Sequence, residues 1–264
     1  IATAEFQGKR FWLDGTNFTS HALFVKNDIS DRPALILDPK NLSLENIEWL
    51  GFKNNVFSLD TETEIKKNKL KIEYYSAFTT GAFAADLTGL EISQSKLQIE
   101  NKMLKRILFN TSDVLEQEVI IDDLKERIVK PVSFKIKVKR KFFANETSMG
   151  PAISFGSGAW NDLYQADMVN RQAKFNLGDP RTEEYKILFK DVSAIGRKIK
   201  NCSVEGPHLS FSRKITYLPK GFRIEIVNKI KSRFIPAEDM RQSDFISFAD
   251  KLRDCAKNQF VLYN

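Results

Sequence analysis

The sequence contains little of what defines several specialised protein classes. Its 264 residues include only 12 glycines and 8 prolines, too few for a low-complexity protein, and no internal repeat is visible. No run of roughly eighteen or more apolar residues occurs, so we expect no membrane-spanning segment, and any membrane role would be peripheral. Two cysteines, Cys202 and Cys255, are too few for a disulfide scaffold or a four-ligand zinc site. The composition therefore indicates a globular protein.

The scarcity of cysteine also favours a reducing compartment, and we expect a cytoplasmic protein. Two observations leave secretion open. The sequence starts at Ile1 without an initiator Met, and it contains five Asn-x-Ser/Thr sequons, which would be glycosylation acceptors in a eukaryotic secretory pathway. The sequons begin at Asn17, Asn41, Asn110, Asn145 and Asn201.

Histidine is equally scarce, with His21 and His208 alone. A Ser/His/Asp or Cys/His mechanism would need one of them, and neither lies in a recognisable nucleophile motif. We therefore expect both histidines to be structural.

Positive charge is present in excess, but in one half of the chain. The sequence is 42% hydrophobic, enough for a large core, and its net charge is +7. Residues 1–131 carry 17 Lys and Arg against 20 Asp and Glu, a net of −3, whereas residues 132–264 carry 24 against 14, a net of +10. This asymmetry favours nucleic acid, an anionic lipid surface or an acidic partner for the second half.

The change in composition near Lys130-Pro131 predicts a domain boundary. We expect a slightly acidic, strand-rich half over 1–131 and a basic α+β half over 132–264, with one continuous domain as the alternative. The fold class predicted is α+β, with mixed or antiparallel sheets and about five helices. Alternating apolar residues on both sides of Pro219-Lys220-Gly221 predict a hairpin with a three-residue turn. The helices are expected over 43–49, 93–109, 159–174, 180–200 and from Ser243 onward.

The clearest single pattern is the strict alternation of apolar and basic residues from Val132 to Lys139. In a strand, successive side chains point to opposite faces, so the apolar residues would be buried together. Lys135, Lys137 and Lys139 would then form a cationic row on the other face. Such a row either contacts a polyanion or protects an exposed strand from aggregation.

The helix expected after Asp179-Pro180 carries a second basic stripe, formed by Lys186, Lys190, Arg197 and Lys200. Together with the strand row, this stripe favours binding of RNA or DNA through backbone contacts, with little dependence on base sequence.

Two other functions remain open. A nuclease that depends on Mg²⁺ would use Asp113, Asp122 and Asp123 as ligands and Lys125 to orient water, although these residues also fit the surface of a helix over 113–129. The protein could instead be a structural or scaffold protein, viral or phage-related, that self-assembles, lies on an anionic membrane or binds a protein partner. Another acidic group, from Asp60 to Glu64, is expected to be a polar turn.

Overall fold

A computed structural model of the chain describes residues 2–13, 29–38, 41–47, 51–66, 70–84, 87, 94–108, 111–121, 131–141, 145–155, 163, 168–196, 198–257 and 259–263. Within these residues, no helix is long and apolar enough to cross a membrane.

Strands form most of the structure. The prediction of an α+β protein with about five helices is therefore wrong, because the chain is mostly β. The helices with defined bounds in the described part of the chain are α1 (Lys96–Ile107), α2 (Ala237–Met240) and α3 (Ser243–Ala256). The strands are β1 (Ala2–Phe6), β2 (Lys9–Leu13), β3 (Pro33–Asp38), β4 (Asn41–Asn46), β5 (Val56–Lys66), β6 (Leu70–Thr79), β7 (Val114–Ile121), β8 (Val132–Lys141), β9 (Asn145–Thr147), β10 (Gly150–Phe155), β11 (Phe175–Asn176), β12 (Arg181–Lys190), β13 (Ala194–Ile195), β14 (Cys202–Glu205), β15 (Leu209–Leu218), β16 (Gly221–Ile230), β17 (Phe234–Ile235) and β18 (Gln259–Tyr263).

The largest element is an eight-stranded sheet with the order β14-β15-β16-β12-β5-β6-β8-β7. Its neighbouring strands are antiparallel except β5 and β12, which are parallel. A smaller sheet has the order β13-β18-β10-β9. The boundary expected at Pro131 falls between β7 and β8, which are neighbours in the large sheet.

The parallel pair joins two regions that are far apart in sequence. The buried Asn55 side-chain amide donates to the carbonyl of Pro180 at 2.8 Å, and the Thr182 hydroxyl donates to the carbonyl of Phe52 at 2.9 Å. The Thr182 backbone N–H donates to the carbonyl of Asn55 at 2.9 Å. These bonds fix the start of both strands and therefore set their register.

One face of the large sheet is covered and the other is open. Phe134 and Ile136 of β8, together with Phe222 and Ile224 of β16, are almost completely buried on the covered face. Helix α1 packs there through residues that include Met103 and Leu104, while α3 contributes Ala249, Leu252 and others. The alternating side chains of the same strands form what we call the open face.

Both of these helices were predicted from sequence, and their existence is confirmed. Ser95 begins α1 with a capping box: its hydroxyl accepts from the Gln98 N–H, and the Gln98 side chain accepts from the Ser95 N–H. Helix α3 starts after Gln242, so its N-cap is one residue earlier than expected.

The predicted helix over 180–200 is wrong, because residues 181–190 form strand β12. Asp179-Pro180 resembles a helix start, but β12 pairs along its whole length with β16 on one side and with β5 on the other. Tyr185, Ile187 and Phe189 pack against the large core cluster at strand spacing. Pairing on both edges thus outweighs the local helix signal.

Four other expectations also change. Residues 41–46 form β4 rather than a helix, and residues 114–121 form β7 rather than the start of one. The acidic group from Asp60 to Glu64 lies within β5, not in a turn. Of the helix expected over 159–174, residues 168–174 are not helical, and most of the others lie outside the described residues.

The predicted hairpin is confirmed as β15 and β16, but its turn has two residues, since Leu218 pairs with Gly221. Gly221 has a φ of 139°, and a Cβ at this position would lie 2.1 Å from the carbonyl oxygen of Phe189. This position in β16 therefore requires glycine.

We expect Gly221→Ala to lower the free energy of unfolding more than Gly150→Ala does. Both glycines have a positive φ, for which alanine costs about 1 to 3 kcal/mol, but nothing lies within 4 Å of a Cβ at Gly150. Urea denaturation measures the free energy of unfolding of both variants. The difference between the two losses is the cost of the clash with the Phe189 carbonyl oxygen. Equal losses would show that β12 moves away from the hairpin at no cost.

The two cysteines form a disulfide between Cys202, at the start of β14, and Cys255, in the last turn of α3. Their separation of 53 residues closes a long loop, and the Cα atoms are 5.8 Å apart. The bond ties α3 to the edge strand of the large sheet.

We expect the double variant Cys202→Ser/Cys255→Ser to lose about 2 to 4 kcal/mol of the free energy of unfolding, because its unfolded chain lacks the closed loop. Urea denaturation with and without dithiothreitol tests this. The reductant should lower the midpoint of the wild type and leave that of the variant unchanged. An insensitive wild type would show that the bond contributes nothing.

Candidate nucleic-acid interface

The predicted basic strand is confirmed as β8. Phe134, Ile136 and Val138 are buried in the core, and Lys135 and Lys137 are exposed on the open face, with Lys139 half-buried. The alternation in the sequence therefore does place a lysine row on one side of the sheet.

Carboxylates on β7 face this row. The register puts Glu118 opposite Lys137 and Glu116 opposite Lys139, and the Lys139 Nζ lies 2.7 Å from a carboxylate oxygen of Glu116. On the other side, the Lys137 Nζ lies 5.8 Å from the centre of the Tyr74 ring. Opposite charges on neighbouring strands attract, so part of the positive potential of the row is neutralised within the sheet.

Lys186 and Lys190 also lie on the open face, on β12, and they too have acidic neighbours. The Lys186 Nζ lies 3.9 Å from a carboxylate oxygen of Asp60, and Lys190 forms an ion pair with Glu62. Because β5 stands between β12 and β6, its carboxylates separate these two lysines from the row on β8. The open face thus carries acidic strands, β7 and β5, beside the basic strands β8 and β12, instead of one cationic surface.

Two further residues, Arg197 and Lys200, are predicted for this surface. Arg197 lies outside the described residues. Lys200 precedes β14 and lines a cavity beside the disulfide. The described residues of the predicted basic set therefore lie at two places: the open face, and the cavity beside the disulfide.

Of the four candidate nuclease residues, Asp113 is the one that the structure describes. Asp122, Asp123 and Lys125 lie outside the described residues. Asp113 binds Arg140, whose Nε and Nη2 are each 2.7 Å from the Asp113 Oδ2. In the part of the chain that the structure describes, no three His, Cys, Asp or Glu side chains form a group that could hold a metal ion.

Arg140 belongs to a charged network on the covered face of the sheet. Its Nη1 lies 3.8 Å from the Glu73 Oε2, and the Lys71 Nζ lies 3.0 Å from the Glu73 Oε1. Glu73 is 6% exposed, and these two cations compensate for the burial of its carboxylate. Burial, assisted by the Glu73 carboxylate, raises the pKa of the neighbouring Tyr75 hydroxyl.

The cavity beside the disulfide has a volume of about 800 Å³, which is in the range of small-molecule sites. We call it the basic cavity. It is an open cavity, lined by residues of β14, β15 and β18, of the end of α3 and of the segment before β14. Its cationic side chains are Lys198, Lys200, Arg213, Lys251 and Lys257, and Asp254 is the carboxylate among its described lining residues.

Arg213 is the unusual member of this set. It lies on β15 opposite Cys202, is 5% exposed, and donates from Nη1 to the carbonyl of Cys255 at 2.7 Å. Its Nε is buried without a hydrogen-bond acceptor. Burial lowers the pKa of the Arg213 guanidinium, and no charged partner among the described residues opposes this shift.

The rim of the basic cavity is also mainly cationic. The Lys257 Nζ lies 3.3 Å from a carboxylate oxygen of Asp254, and the Lys198 Nζ lies 5.4 Å from the centre of the Tyr217 ring. Lys200 and Lys251 are exposed. Phe260, on β18, also lines the cavity and is 54% exposed, so an apolar ring lies beside the charges.

Sequence reasoning missed this cavity. Cys202, Arg213, Cys255 and Phe260 are distant in the chain and form no motif. The uneven net charge pointed to the second half of the chain, but only the pairing of β14 with β15 and the docking of α3 bring the residues together.

His208 has a role that the sequence did not define. One ring nitrogen, Nδ1, lies 2.8 Å from the Ser232 hydroxyl, and Nε2 lies 2.9 Å from a carboxylate oxygen of Asp239. The Ser232 hydroxyl also donates to the carbonyl of Phe234 at 3.1 Å. This arrangement ties the β14–β15 loop to β17 and α2, so we interpret His208 as a structural residue.

Comparison with protein families, curated proteins and solved structures finds no match for the chain. The chemistry of its surfaces is therefore the guide to function.

We expect Arg140→Met to lower the free energy of unfolding by about 3 to 5 kcal/mol, because it leaves the Asp113 carboxylate without its cation. Lys139→Met is the matched control on the same strand, since its ion pair with Glu116 is largely exposed and should contribute little. Urea denaturation measures both. Equal, small losses would contradict a structural role for the Arg140 network.

Proposed function

We propose that the protein binds single-stranded nucleic acid through the basic cavity. The observation that carries this proposal is Arg213, a buried guanidinium with no carboxylate partner among the described residues, in a cavity whose rim is formed by lysines. A buried charge without a counterion is costly, and an anionic ligand would remove that cost.

Nucleic acid fits the cavity because it supplies both kinds of contact that the cavity offers. Phosphates can pair with Lys198, Lys200 and Lys251, with release of counterions. A base can stack on Phe260, a contact that contributes about 1 to 3 kcal/mol in other proteins. Neither contact reads base identity, so recognition would be largely independent of sequence.

The open face is the weaker candidate for the same function. Its lysines on β8 and β12 have acidic neighbours on β7 and β5, so a polyanion at this face would also meet carboxylates. Among the described members of the predicted basic set, Lys200 lines the basic cavity. We therefore assign the main contact to the cavity and treat the open face as a testable alternative.

The disulfide bears on where this function operates. The disulfide is part of the cavity wall, because Cys202 and Cys255 both line the cavity. The carbonyl of Cys255 also accepts a hydrogen bond from Arg213. Disulfides persist mainly in oxidising compartments. We accordingly propose that the protein works outside a reducing cytoplasm, in contrast to the cytoplasmic location expected from its few cysteines.

We expect Lys200→Ala/Lys251→Ala to weaken binding of labelled single-stranded RNA and DNA, measured by fluorescence anisotropy over a salt series. The slope of log K against log salt should become shallower by about 0.7 for each phosphate contact that is lost. The control variant is Lys135→Ala/Lys137→Ala, which removes the same charge from the open face.

Two phenylalanine variants test the stacking contact. Phe260→Ala should weaken binding at every salt concentration without changing the slope, whereas Phe6→Ala, at another exposed phenylalanine, should have no effect. If only the β8 variant loses affinity, the open face is the binding surface. If the wild type binds neither RNA nor DNA at low salt, the proposal fails.

A further inference from the structure

We infer that the basic cavity recognises a terminal phosphate monoester of the bound strand, with Arg213 as the residue that contacts it. This inference rests on the proposed function and adds the chemical group that the site selects.

The lysines and the arginine of the cavity differ in accessibility. Lys198, Lys200, Lys251 and Lys257 are exposed, whereas Arg213 is 5% exposed and lies against the end of α3. Phosphates in the middle of a strand can reach the exposed lysines. They reach a buried guanidinium poorly, because a sugar is attached on both sides of each one.

A terminal phosphate removes this obstacle. It has a single ester bond, so its free oxygens can enter the cavity ahead of the sugar. Near pH 7 a phosphate monoester carries a charge of about −1.5 to −2, and its three free oxygens are strong hydrogen-bond acceptors. An internal phosphodiester has one charge and two free oxygens. Of the groups on a nucleic acid, the terminal phosphate therefore neutralises Arg213 best.

Among the described residues, no side chain provides this neutralisation. The carbonyl of Cys255 accepts one N–H of the guanidinium, but a carbonyl at a helix end carries only a partial negative charge. Asp254, the carboxylate among the described lining residues, already pairs with Lys257 at 3.3 Å. A guanidinium prefers the planar, doubly hydrogen-bonded pairing that phosphate oxygens offer.

The cavity also has room beyond the phosphate. Its volume of about 800 Å³ exceeds what a phosphate group fills, and Phe260 stands among its lining residues. The terminal nucleotide can therefore place its phosphate against Arg213 and its base on Phe260, while the exposed lysines follow the next phosphates of the strand.

The test compares oligonucleotides of one sequence that differ only at their ends: 5′-phosphate, 3′-phosphate, hydroxyl at both ends, and a 5′-phosphate capped as its methyl ester. Fluorescence anisotropy with the intact, oxidised protein measures each affinity. We expect one phosphorylated end to bind roughly tenfold or more tightly than the hydroxyl ends. The methyl ester should lose most of this advantage, since it imitates an internal phosphate.

Arg213→Met should abolish the preference for the phosphorylated end while the hydroxyl oligonucleotide still binds through the lysines. Lys251→Met, at an exposed cation of the same cavity, should weaken all four oligonucleotides by a similar factor and keep the preference. Because Arg213→Met changes a buried side chain, its urea midpoint is measured as a control for folding. Competition by a nucleoside monophosphate on the wild type gives a reading without any variant.

The outcomes separate the two proposals. Equal affinity for all four oligonucleotides, with no competition by the monophosphate, overturns recognition of a terminal phosphate and leaves nucleic-acid binding intact. Absence of binding to every oligonucleotide overturns both. A preference that survives in a folded Arg213→Met variant also overturns the inference, because another residue must then hold the phosphate.

Discussion

The register of the eight-stranded sheet is the constraint on which the rest of the structure depends. Each strand alternates, so a shift of one residue in any pairing would move its buried side chains to the open face. Phe134 of β8 and Ile224 of β16 are buried to almost the same extent, although three strands separate β8 from β16. Both helices that cover the core depend on this continuous apolar face.

The same alternation fixes the electrostatics of the open face. Once Phe134 and Ile136 are buried, Lys135 and Lys137 must be exposed, and the register of β5 and β7 brings the carboxylates of these two strands to the same face. The charges of the sheet are thus largely balanced within it. The basic cavity differs because it lies where β14, α3 and β18 meet, and no neighbouring strand supplies a carboxylate for Arg213.

Local patterns identified the elements whose partners lie close in sequence. Alternation was sufficient for β8 and for the β15–β16 hairpin, and the helical spacing of apolar residues was sufficient for α1 and α3, although the N-cap of α3 was placed one residue late. They failed for β12, whose Asp179-Pro180 start favours a helix, because a partner about 125 residues earlier decides its conformation. The Cys202–Cys255 bond and the Arg213 site also arise from distant contacts, which a single sequence does not display.

The pairing of β5 with β12 has a consequence for synthesis of the chain. Residues 56–66 leave the ribosome long before residues 181–190, so one edge of β5 has no partner while more than a hundred further residues are added. At typical elongation rates of about 5 to 20 residues per second, this interval lasts several seconds or more. During it, the β5–β6 hairpin presents an unpaired edge to other nascent chains, and its charged residues from Asp60 to Glu64 are the kind that discourage association at such an edge.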